Sequence, residues 1–421
     1  MFRYRCNREN LGEKIKSFSD FGKVSPASDN CKGGVITRLS LSPAAVEARK
    51  EIIKRCEKIG CEVVFDDIGN IYATLPGSEN LPAVISGSHA DSVVRGGNFD
   101  GILGVLGALE AIETIKRENI PHKRPITLVI WTNEEGANFP PAMFSSGIIS
   151  GKFDKETLMK SKASQDDSYG ATFEEALKNS GFNGDETNRF TAEKYFALLE
   201  LHIEQGPVLE SEEKEIGILE GVVGMVNYHI TLEGLTGHAG TVPMGYRKDA
   251  LYAASKVIIM LHEELDKIDT DGTIVYTTGH IEAFPNVHTN IPEKVTFSLD
   301  IRHKSPEVIA NAVKVIENLP SEIEKCKLSY TPQWTRKTTP FDSVVVGINE
   351  DNTKALGYSY KRMYSGPGHD AQFIADMVPS AMIFVPSIAG HSHSELEYTP
   401  TESCAKGVDV LLNSIIELSN K

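Results

Sequence analysis

Short apolar runs alternate with longer amphipathic stretches along much of the chain. Apolar residues recur at helical spacing over 44–59 and 102–115, which predicts two helices. Continuous apolar runs of strand length occupy 83–86, 126–132, 196–201 and 381–385. Runs of this kind are typical of strands buried on both faces of a parallel sheet. The alternation therefore predicts an α/β protein with a mostly parallel sheet flanked by helices.

The middle of the chain follows a different pattern. Polar and apolar residues alternate over 228–233 and 295–301, which predicts strands with one solvent-facing side. A further strand is predicted over 273–278, and helices over 250–265 and 308–319. This β-α-β-β-α order favours a small antiparallel sheet with helices on one face.

The change of pattern suggests how the chain is divided. Its 421 residues correspond to two or three domains of ordinary size. We expect a main domain formed by 1–216 and 336–421. A second domain, 217–335, is expected to be inserted into it.

The composition is that of an acidic globular protein. The 43 basic residues are outnumbered by 58 acidic ones, which gives a net charge of −15 and disfavours nucleic acid as a partner. No apolar run approaches the roughly 20 residues of a bilayer-spanning helix, so no membrane is expected. The six cysteines are scattered without a CxxC pair, and no signal-like apolar stretch opens the sequence. We therefore expect reduced, mostly buried thiols and a cytoplasmic location.

Residues of metal-ligating type stand where the predicted strands end and where the helix over 102–115 begins. They are His89, Asp91, Asp100, Glu134, Glu135, His202 and His393. Ligands of open α/β sheets bind beyond the carboxyl ends of the strands, so we expect these side chains to lie close together. Imidazole and carboxylate groups suit a divalent ion such as zinc.

Each of these residues also has a structural interpretation when it is taken alone. A single histidine after a strand is often structural, Glu134 and Glu135 could form a solvated turn, and Asp100 could cap a helix. What favours a metal centre is the recurrence of such residues at several strand ends that should be adjacent in space.

Eight short motifs resemble those of one known group of enzymes. They are GSHADS, GGNFDG, TNEEG, ELHIEQG, GHAGTVPM, SLDIRH, GPGHDA and GHSHSELE. The group comprises the N-carbamoyl-L-amino-acid hydrolases, allantoate amidohydrolases and β-ureidopropionases of the M20 metallopeptidase-like superfamily, and the resemblance covers about 34–400. A plain M20 peptidase is less similar, because it usually has an acidic ligand at the position of His202.

The resemblance implies a zinc-peptidase-like catalytic domain with an inserted α+β, ferredoxin-like domain that serves as a lid and for homodimerisation. It also implies two divalent ions per subunit, with Zn, Mn, Co and Ni all open. Asp100 would bridge the ions. Glu135 and His393 would bind one ion, and His89 and His202 the other.

The resemblance also implies catalytic roles. Glu134 would be the general base, and Asp91 would orient the ring of His89. His238 would stabilise the oxyanion from the other subunit, although by itself it could be a histidine of a glycine-rich loop. Elementary chemistry supports the base independently, because a carboxylate beside an acidified water can take its proton.

Substrate-binding roles follow from the same resemblance. Arg302 would bind the substrate carboxylate, and a guanidinium suits that task, although by itself it could be a surface residue of a strand. The pocket would also be lined by Gln205, His369 and Asp370. The group usually has an asparagine thirteen residues before this arginine. In this sequence Thr289 occupies that position and Asn290 follows it, which leaves the substrate amide contact open.

The function predicted in this way is hydrolysis of an N-carbamoyl-L-amino acid to the amino acid, ammonia and CO₂. Hydrolysis of allantoate or β-ureidopropionate shares every one of these motifs. Dipeptide hydrolysis and a catalytically inactive binding protein are more distant alternatives. The presence of Glu134 and of all five candidate ligands argues against an inactive protein.

Overall fold

The structure is a computed structural model that describes residues 3–28, 30–165, 168–269 and 271–421. The chain forms two compact units. Unit 1 comprises Met1–Gly221 and Pro340–Lys421, and unit 2 comprises Val222–Thr339.

Helices occur throughout the described residues. In chain order, they are α1 Arg8–Phe18, α2 Pro43–Lys58, α3 Ile102–Arg117, α4 Phe144–Ile149, α5 Lys155–Met159, α6 Phe173–Ser180, α7 Val208–Ser211, α8 Ala250–Ile268, α9 Pro306–Glu317, α10 Ser343–Leu356, α11 Asp370–Ile374 and α12 Thr401–Ser419. Among the described residues, no helix is both long and apolar enough to span a membrane.

The strands, also in chain order, share three sheets. They are β1 Glu62–Phe65, β2 Ile71–Leu75, β3 Ala83–His89, β4 Ile126–Trp131, β5 Tyr195–Ile203, β6 Ile216–Val222, β7 Gly224–Glu233, β8 Gly237–His238, β9 Val275–Thr277, β10 Ile281–Phe284, β11 Asn290–Ile291, β12 Lys294–His303, β13 Glu322–Ile323, β14 Cys326–Arg336, β15 Thr339–Pro340, β16 Tyr360–Ser365 and β17 Ser380–Val385.

Unit 1 is built on a nine-stranded sheet in the order β1-β2-β4-β3-β5-β17-β6-β15, with β16 paired to β6. The central strands β4, β3, β5 and β17 are parallel. The α/β prediction is confirmed, but the sheet is mixed, because β1, β2 and β6 pair antiparallel. A short turn around Asp66 joins β1 to β2, and so short a connection permits only antiparallel pairing. The Asp66 carboxylate holds that turn by accepting hydrogen bonds from the amides of Ile68 and Asn70.

The four predicted core strands are confirmed and are almost completely buried. Helices α3 and α12 pack against each other and against β3, β5 and β17. Helix α3 is buried on nearly all sides, which explains its apolar sequence. The other predicted helix of this unit, α2, begins at the N-cap Ser42, followed by Pro43, a favourable helix start. The six cysteines are free thiols, and all but Cys31 are buried.

Unit 2 contains a six-stranded antiparallel sheet in the order β10-β12-β7-β14-β13, with β9 paired to β12. Residues of β7 and β12 alternate between a buried and a more exposed face, as their sequence predicted. Helices α8 and α9 pack on the buried face. Strand β14 was not predicted, because Pro332 interrupts its sequence. The register shifts between Pro332 and Trp334, and a bulge is where a strand tolerates proline.

Candidate metal centre

Two histidines and one aspartate form a buried cluster at the carboxyl end of the parallel strands, which we call the sheet cluster. His89 is the last residue of β3, His202 is the penultimate residue of β5, and Asp100 precedes α3. Asp100 Oδ1 lies 3.4 Å from His89 Nε2 and 3.2 Å from His202 Nε2. Three donor atoms of metal-ligating type therefore converge on one point.

Backbone carbonyls orient both histidines of the sheet cluster. His89 Nδ1 lies 3.0 Å from the carbonyl oxygen of Asp91, and His202 Nδ1 lies 2.9 Å from that of Ile203. When Nδ1–H donates to such a carbonyl, Nε2 keeps its lone pair. In that tautomer Nε2 of each ring can bind a metal ion, and both Nε2 atoms lie beside Asp100.

Gly101 makes this convergence possible. Its φ of 64° lies in the left-handed region, and an added Cβ would lie 2.3 Å from ring atoms of His89. Only glycine allows the chain to pass this closely. Its amide donates to His202 Nε2 at 3.1 Å, so the turn that carries Asp100 is fitted against both rings.

A second group, which we call the loop cluster, shares Asp100 with the first. Asp100 Oδ2 lies 3.3 Å from His393 Nε2, and Glu135 Oε2 lies 3.2 Å from the same nitrogen. Glu135 follows β4, and His393 lies in the segment after β17. The two carboxylate oxygens of Asp100 thus face two different sets of side chains.

Glu134 stands beside these clusters with a buried carboxylate. Its Oε2 lies 3.6 Å from His89 Nε2. Burial raises the pKa of Glu134 well above its usual value, the negative charges of Glu135 and Asp370 add to this, and His89 opposes it. A raised pKa favours protonation of this carboxylate, which suits a group that accepts a proton and then donates it.

The carboxylate of Asp91 holds the Glu134–Glu135 pair rather than the ring of His89. It accepts hydrogen bonds from the amides of Glu134 at 3.4 Å and Glu135 at 3.3 Å. Its Oδ1 lies 3.8 Å from His89 Nδ1, which is too long for a hydrogen bond. Asp91 orients His89 through its backbone carbonyl, and its side chain positions Glu134 and Glu135.

The charges within the clusters are strongly coupled. Burial would raise the pKa of Asp100, but His202, His393 and His89 outweigh it and hold that pKa well below its usual value. Burial and the charge of Asp100 raise the pKa of Glu135 to about 8. A hydrogen bond to Asp100 raises the pKa of His393 to about 9. The protonation of each of these side chains therefore depends on the charge of its neighbours.

These residues fit divalent ions. Glu135 Oε1 is buried and has no hydrogen-bond partner among the described residues, so it offers a free ligand atom. The donor set is imidazole and carboxylate, which suits zinc, manganese, cobalt or nickel. An excess of buried negative charge is also what bound cations would neutralise.

Three residues around the centre have left-handed backbone conformations. The φ angles are 62° at Asn133, 59° at Gln205 and 51° at His393. Each such residue costs about 1–3 kcal/mol and persists where its surroundings hold it, most often at functional sites. Gln205 is held by its neighbour Glu204, whose carboxylate accepts hydrogen bonds from two backbone amides at the start of α7.

The three pocket residues predicted in unit 1 lie near the clusters. Gln205 Nε2 donates to Asp100 Oδ2 at 2.7 Å. The ring of His369 packs edge-on against that of His202, with centroids 4.6 Å apart. Asp370 is buried and accepts a hydrogen bond from Ser146. Substrate binding by these residues stays a prediction.

In unit 2, the structure brings together predicted residues that are far apart in the sequence. Strand β8 pairs with β11, and His238 stands directly opposite Asn290. The amide of Ala239 donates to the carbonyl of Thr289 at 2.8 Å. Side chains of directly opposed residues share one face of a sheet, so Asn290 rather than Thr289 lies beside the exposed side chain of His238.

Arg302 lies on the central strand β12 of unit 2. Its Nε donates to Asp300 Oδ1 at 2.7 Å, and about a third of its side chain is exposed. This hydrogen bond to Asp300 restrains the orientation of the Arg302 guanidinium.

One residue of the centre received no role from the sequence. Glu397 lies within the motif GHSHSELE, yet it is buried and accepts hydrogen bonds from the amides of Phe99 and Asp100. Glutamate side chains are mostly exposed to solvent, so the only sequence signal for Glu397 was its place in that motif.

Comparison with known proteins places this geometry in a family. Residues 74–417 match the family described as Peptidase family M20/M25/M40. Allantoate amidohydrolase of Escherichia coli (strain K12) is 35% identical over 418 residues, which cover 98% of each protein. N-carbamoyl-L-amino-acid amidohydrolase of Rhizobium meliloti is 34% identical over 425 residues, which cover 98% of this chain and 97% of that protein.

A solved structure agrees with these relatives. The crystal structure of an amidase of the hydantoinase/carbamoylase family from Burkholderia multivorans superposes with a TM-score of 0.88 at 32% identity, covering 99% of each chain. The resemblance inferred from the eight motifs is thereby confirmed. The chain belongs to peptidase family M20/M25/M40, a family of hydrolases.

Proposed function

We propose that this protein is an amidohydrolase that cleaves the carbamoyl group of an N-carbamoyl-L-amino acid with the help of two divalent ions. The observation that supports this best is the geometry of Asp100. One of its oxygens faces His89 and His202, and the other faces His393 beside Glu135. A single carboxylate placed between two ligand sets is the arrangement of a shared, two-metal site.

In this proposal, His89, His202 and Asp100 hold one ion, and Asp100, Glu135 and His393 hold the other. Bound divalent ions would polarise the carbonyl oxygen of the substrate and acidify a water molecule. Glu134 takes a proton from the attacking water and gives it to the departing nitrogen, a contribution of about 10²–10⁴-fold. The substrate and one water give the amino acid, ammonia and CO₂.

Unit 2 carries the substrate-binding part of the proposal. Arg302 would bind the carboxylate, since a guanidinium fork matches its two oxygens. Asn290 would supply the amide contact that the sequence left open, because it stands opposite His238. His238 would stabilise the oxyanion.

A second candidate function is hydrolysis of allantoate. It is favoured by the Escherichia coli relative, whose identity of 35% matches that of the N-carbamoyl-L-amino-acid relative within one per cent. Allantoate also carries a carboxylate and a ureido group, so the same binding residues suit both substrates.

Ammonia release from a panel of substrates tests the proposal. The panel holds N-carbamoyl-L-amino acids, their D-forms, allantoate, β-ureidopropionate, a dipeptide and an N-carbamoyl-L-amino acid amide without the carboxylate. We expect the metal-loaded protein to act on the L-acids and to reject the neutral amide, and the metal-free protein to be inactive. Preference for allantoate would select the second candidate. Binding without hydrolysis of any substrate would contradict both.

We also propose that the protein is a homodimer joined through unit 2. Most large apolar side chains that are exposed in the described residues lie in this smaller unit, with Met244 and Tyr246 about four-fifths exposed. Ile259 and Phe284 are also exposed there. The concentration of exposed apolar side chains in one unit supports a protein interface there, and two-fold dimers are the commonest oligomers.

Subunit mixing tests whether His238 acts in the partner's site. Glu134→Gln and His238→Ala should each be nearly inactive, whereas a reassorted mixture should recover about a quarter of wild-type activity, because half of the dimers are mixed and each has one complete site. Exchange is verified with differently tagged chains. No recovery despite exchange would show that His238 does not act across the dimer.

A further inference from the structure

The two segments that carry Asp100 and His393 lie against each other in unit 1. The ring of Phe99 packs edge-on against Tyr398, with centroids 5.7 Å apart and planes at 88°. Arg95 forms an ion pair with Glu395. These contacts lie close to Asp100 on one segment and to His393 on the other. The two candidate ligands are therefore carried by two loops that pack against each other.

Glu397 lies at the centre of this contact, and only 1% of it is exposed. Its Oε1 accepts two consecutive backbone amides, that of Phe99 at 2.9 Å and that of Asp100 at 3.1 Å. Two donors on one oxygen fix the peptide plane that leads into Asp100. The backbone of the bridging residue therefore depends directly on this carboxylate.

The other oxygen of Glu397 extends the connection to the side chain of Asp100. Ser392 Oγ lies 3.4 Å from Glu397 Oε2 and 3.0 Å from Asp100 Oδ2. The shorter contact shows that the hydroxyl donates to Asp100 Oδ2, which is the oxygen that faces His393. Glu397 thus contacts both the backbone of Asp100 and Ser392, which is hydrogen-bonded to the Asp100 carboxylate.

The space around Glu397 leaves it no freedom. A Cβ added at Gly97 would lie 2.4 Å from the Cβ and Oε1 of Glu397. Glycine is required at this position by the close approach of the glutamate rather than by its φ angle. The carboxylate is therefore clamped between Gly97 on one side and the amides of Phe99 and Asp100 on the other.

We propose that Glu397 is a positioning residue that sets the orientation of the Asp100 carboxylate between the two ligand sets. This rests on the two-metal centre of the proposed function. Glu397 does not converge on either group of ligand atoms, so it acts through Asp100. Because Asp100 serves both ions, a small rotation of its carboxylate changes the geometry of both.

Cobalt-substituted protein tests this role with Glu397→Gln, which preserves size but removes the negative charge and places an amide NH₂ where Oε2 lies beside Ser392. Gly97→Ala presses on the same carboxylate from the opposite side. Glu402→Gln, an exposed carboxylate on α12 paired with Arg8, is the matched control. The visible spectrum, the number of bound ions and the melting temperature are measured for each variant, and kcat and KM are measured separately.

We expect Glu397→Gln to melt near the wild-type temperature and Gly97→Ala to melt at a lower one, because its added Cβ would overlap Glu397. Both variants should shift the cobalt spectrum and bind the more weakly held of the two ions about 10–100-fold less tightly, the usual effect of removing a residue that supports a ligand. The kcat should fall while KM changes little. Glu402→Gln should match wild type. A folded Glu397→Gln with an unchanged cobalt spectrum and unchanged ion affinities would overturn the proposal.

The outcome is distinguishable from failure of the two-metal proposal. If wild-type protein binds only one ion, the two-metal proposal is wrong, and the spectrum of that ion still reports on Asp100. A shift in Glu397→Gln would then still support the positioning role, and its absence would overturn it. If Glu397→Gln does not fold, Gly97→Ala decides by the same spectral criterion.

Discussion

The sheet cluster and the loop cluster share Asp100 but are built in different ways. His89 and His202 are buried on adjacent central strands of the sheet, and backbone carbonyls hold their rings. Glu135 and His393 lie in loops, and half of the His393 side chain is exposed. The sheet cluster is therefore fixed by the central strands of the sheet, whereas the loop cluster depends on how two loop segments pack and includes a half-exposed ligand.

This difference implies that one site can bind two ions with different affinities. Ligands fixed by a rigid scaffold lose little freedom when an ion binds, so the ion is held more strongly. An exposed ligand in a left-handed loop conformation, such as His393 at φ 51°, exchanges more readily with solvent. We expect the ion of the loop cluster to be the more weakly bound of the two.

The largest effect is expected at the residue common to both clusters. Asp100→Asn should weaken the binding of both ions, because asparagine has only one ligating oxygen, carries no negative charge and cannot bridge the two ligand sets. Loss of several kcal/mol of charge stabilisation corresponds to a fall in activity of about 10³-fold or more. Elemental analysis after gel filtration and an ammonia-release assay measure both quantities. Retention of two ions would show that Asp100 does not connect the clusters, and Asp376→Asn, an exposed residue, is the matched control.

Adjacent glutamates should separate catalysis from metal binding. Glu134→Gln should keep both ions and lose about 10²–10⁴-fold in kcat, because the proton acceptor is gone. Glu135→Gln should instead lose the ion of the loop cluster. The same metal analysis and steady-state kinetics apply to both variants. Exchange of the two phenotypes would mean that the roles of the pair are assigned the wrong way round.

The two histidines on opposite sides of Asp100 should differ in chemical rescue. His89→Ala and His393→Ala should each weaken one ion by at least about tenfold. Added imidazole should restore part of the activity of His393→Ala, because that side chain opens to solvent. It should not restore His89→Ala, whose position is buried. Rescue of the buried position alone would contradict the comparison.

The smallest perturbation is slow removal of metal. During dialysis against a dilute chelator, one ion should leave at least about tenfold faster than the other, a difference of ~1.4 kcal/mol. The ion content is followed with time by elemental analysis. His393→Ala should lack the fast phase and His89→Ala the slow one. Simultaneous loss of both ions from wild-type protein would show that the clusters do not differ in strength.

The sequence was most informative where a residue pattern is compatible with only one kind of structure. The strands over 83–86, 126–132 and 381–385 were predicted correctly, because continuous apolar runs of strand length are typical of strands buried on both faces. It was less informative where polar strands pair with each other. Strand β14 was missed because its exposed residues and Pro332 do not distinguish a strand from a loop.

The same contrast holds within the candidate centre. His89, Asp100 and Glu135 were predicted as candidate ligands because their residue types, and their positions at strand ends or at the start of α3, favour metal binding. The contacts of Glu397 could not be predicted, because nothing in the local sequence distinguishes a buried glutamate that accepts backbone amides from a solvated one. The side chain of Asp91 was expected at the ring of His89, but it bonds to the amides of Glu134 and Glu135.

By itself, the sequence determined the fold class, the family and the residue types that gather at the sheet edge, because burial periodicity and ligand chemistry are properties of single residues and their neighbours. Only the tertiary structure decided which oxygen of Asp100 faces which histidine, that Asn290 rather than Thr289 stands opposite His238, and that Glu397 holds the backbone of Asp100. These are relations between segments far apart in the chain. They depend on strand register and loop packing, which emerge only when the whole chain closes around its core.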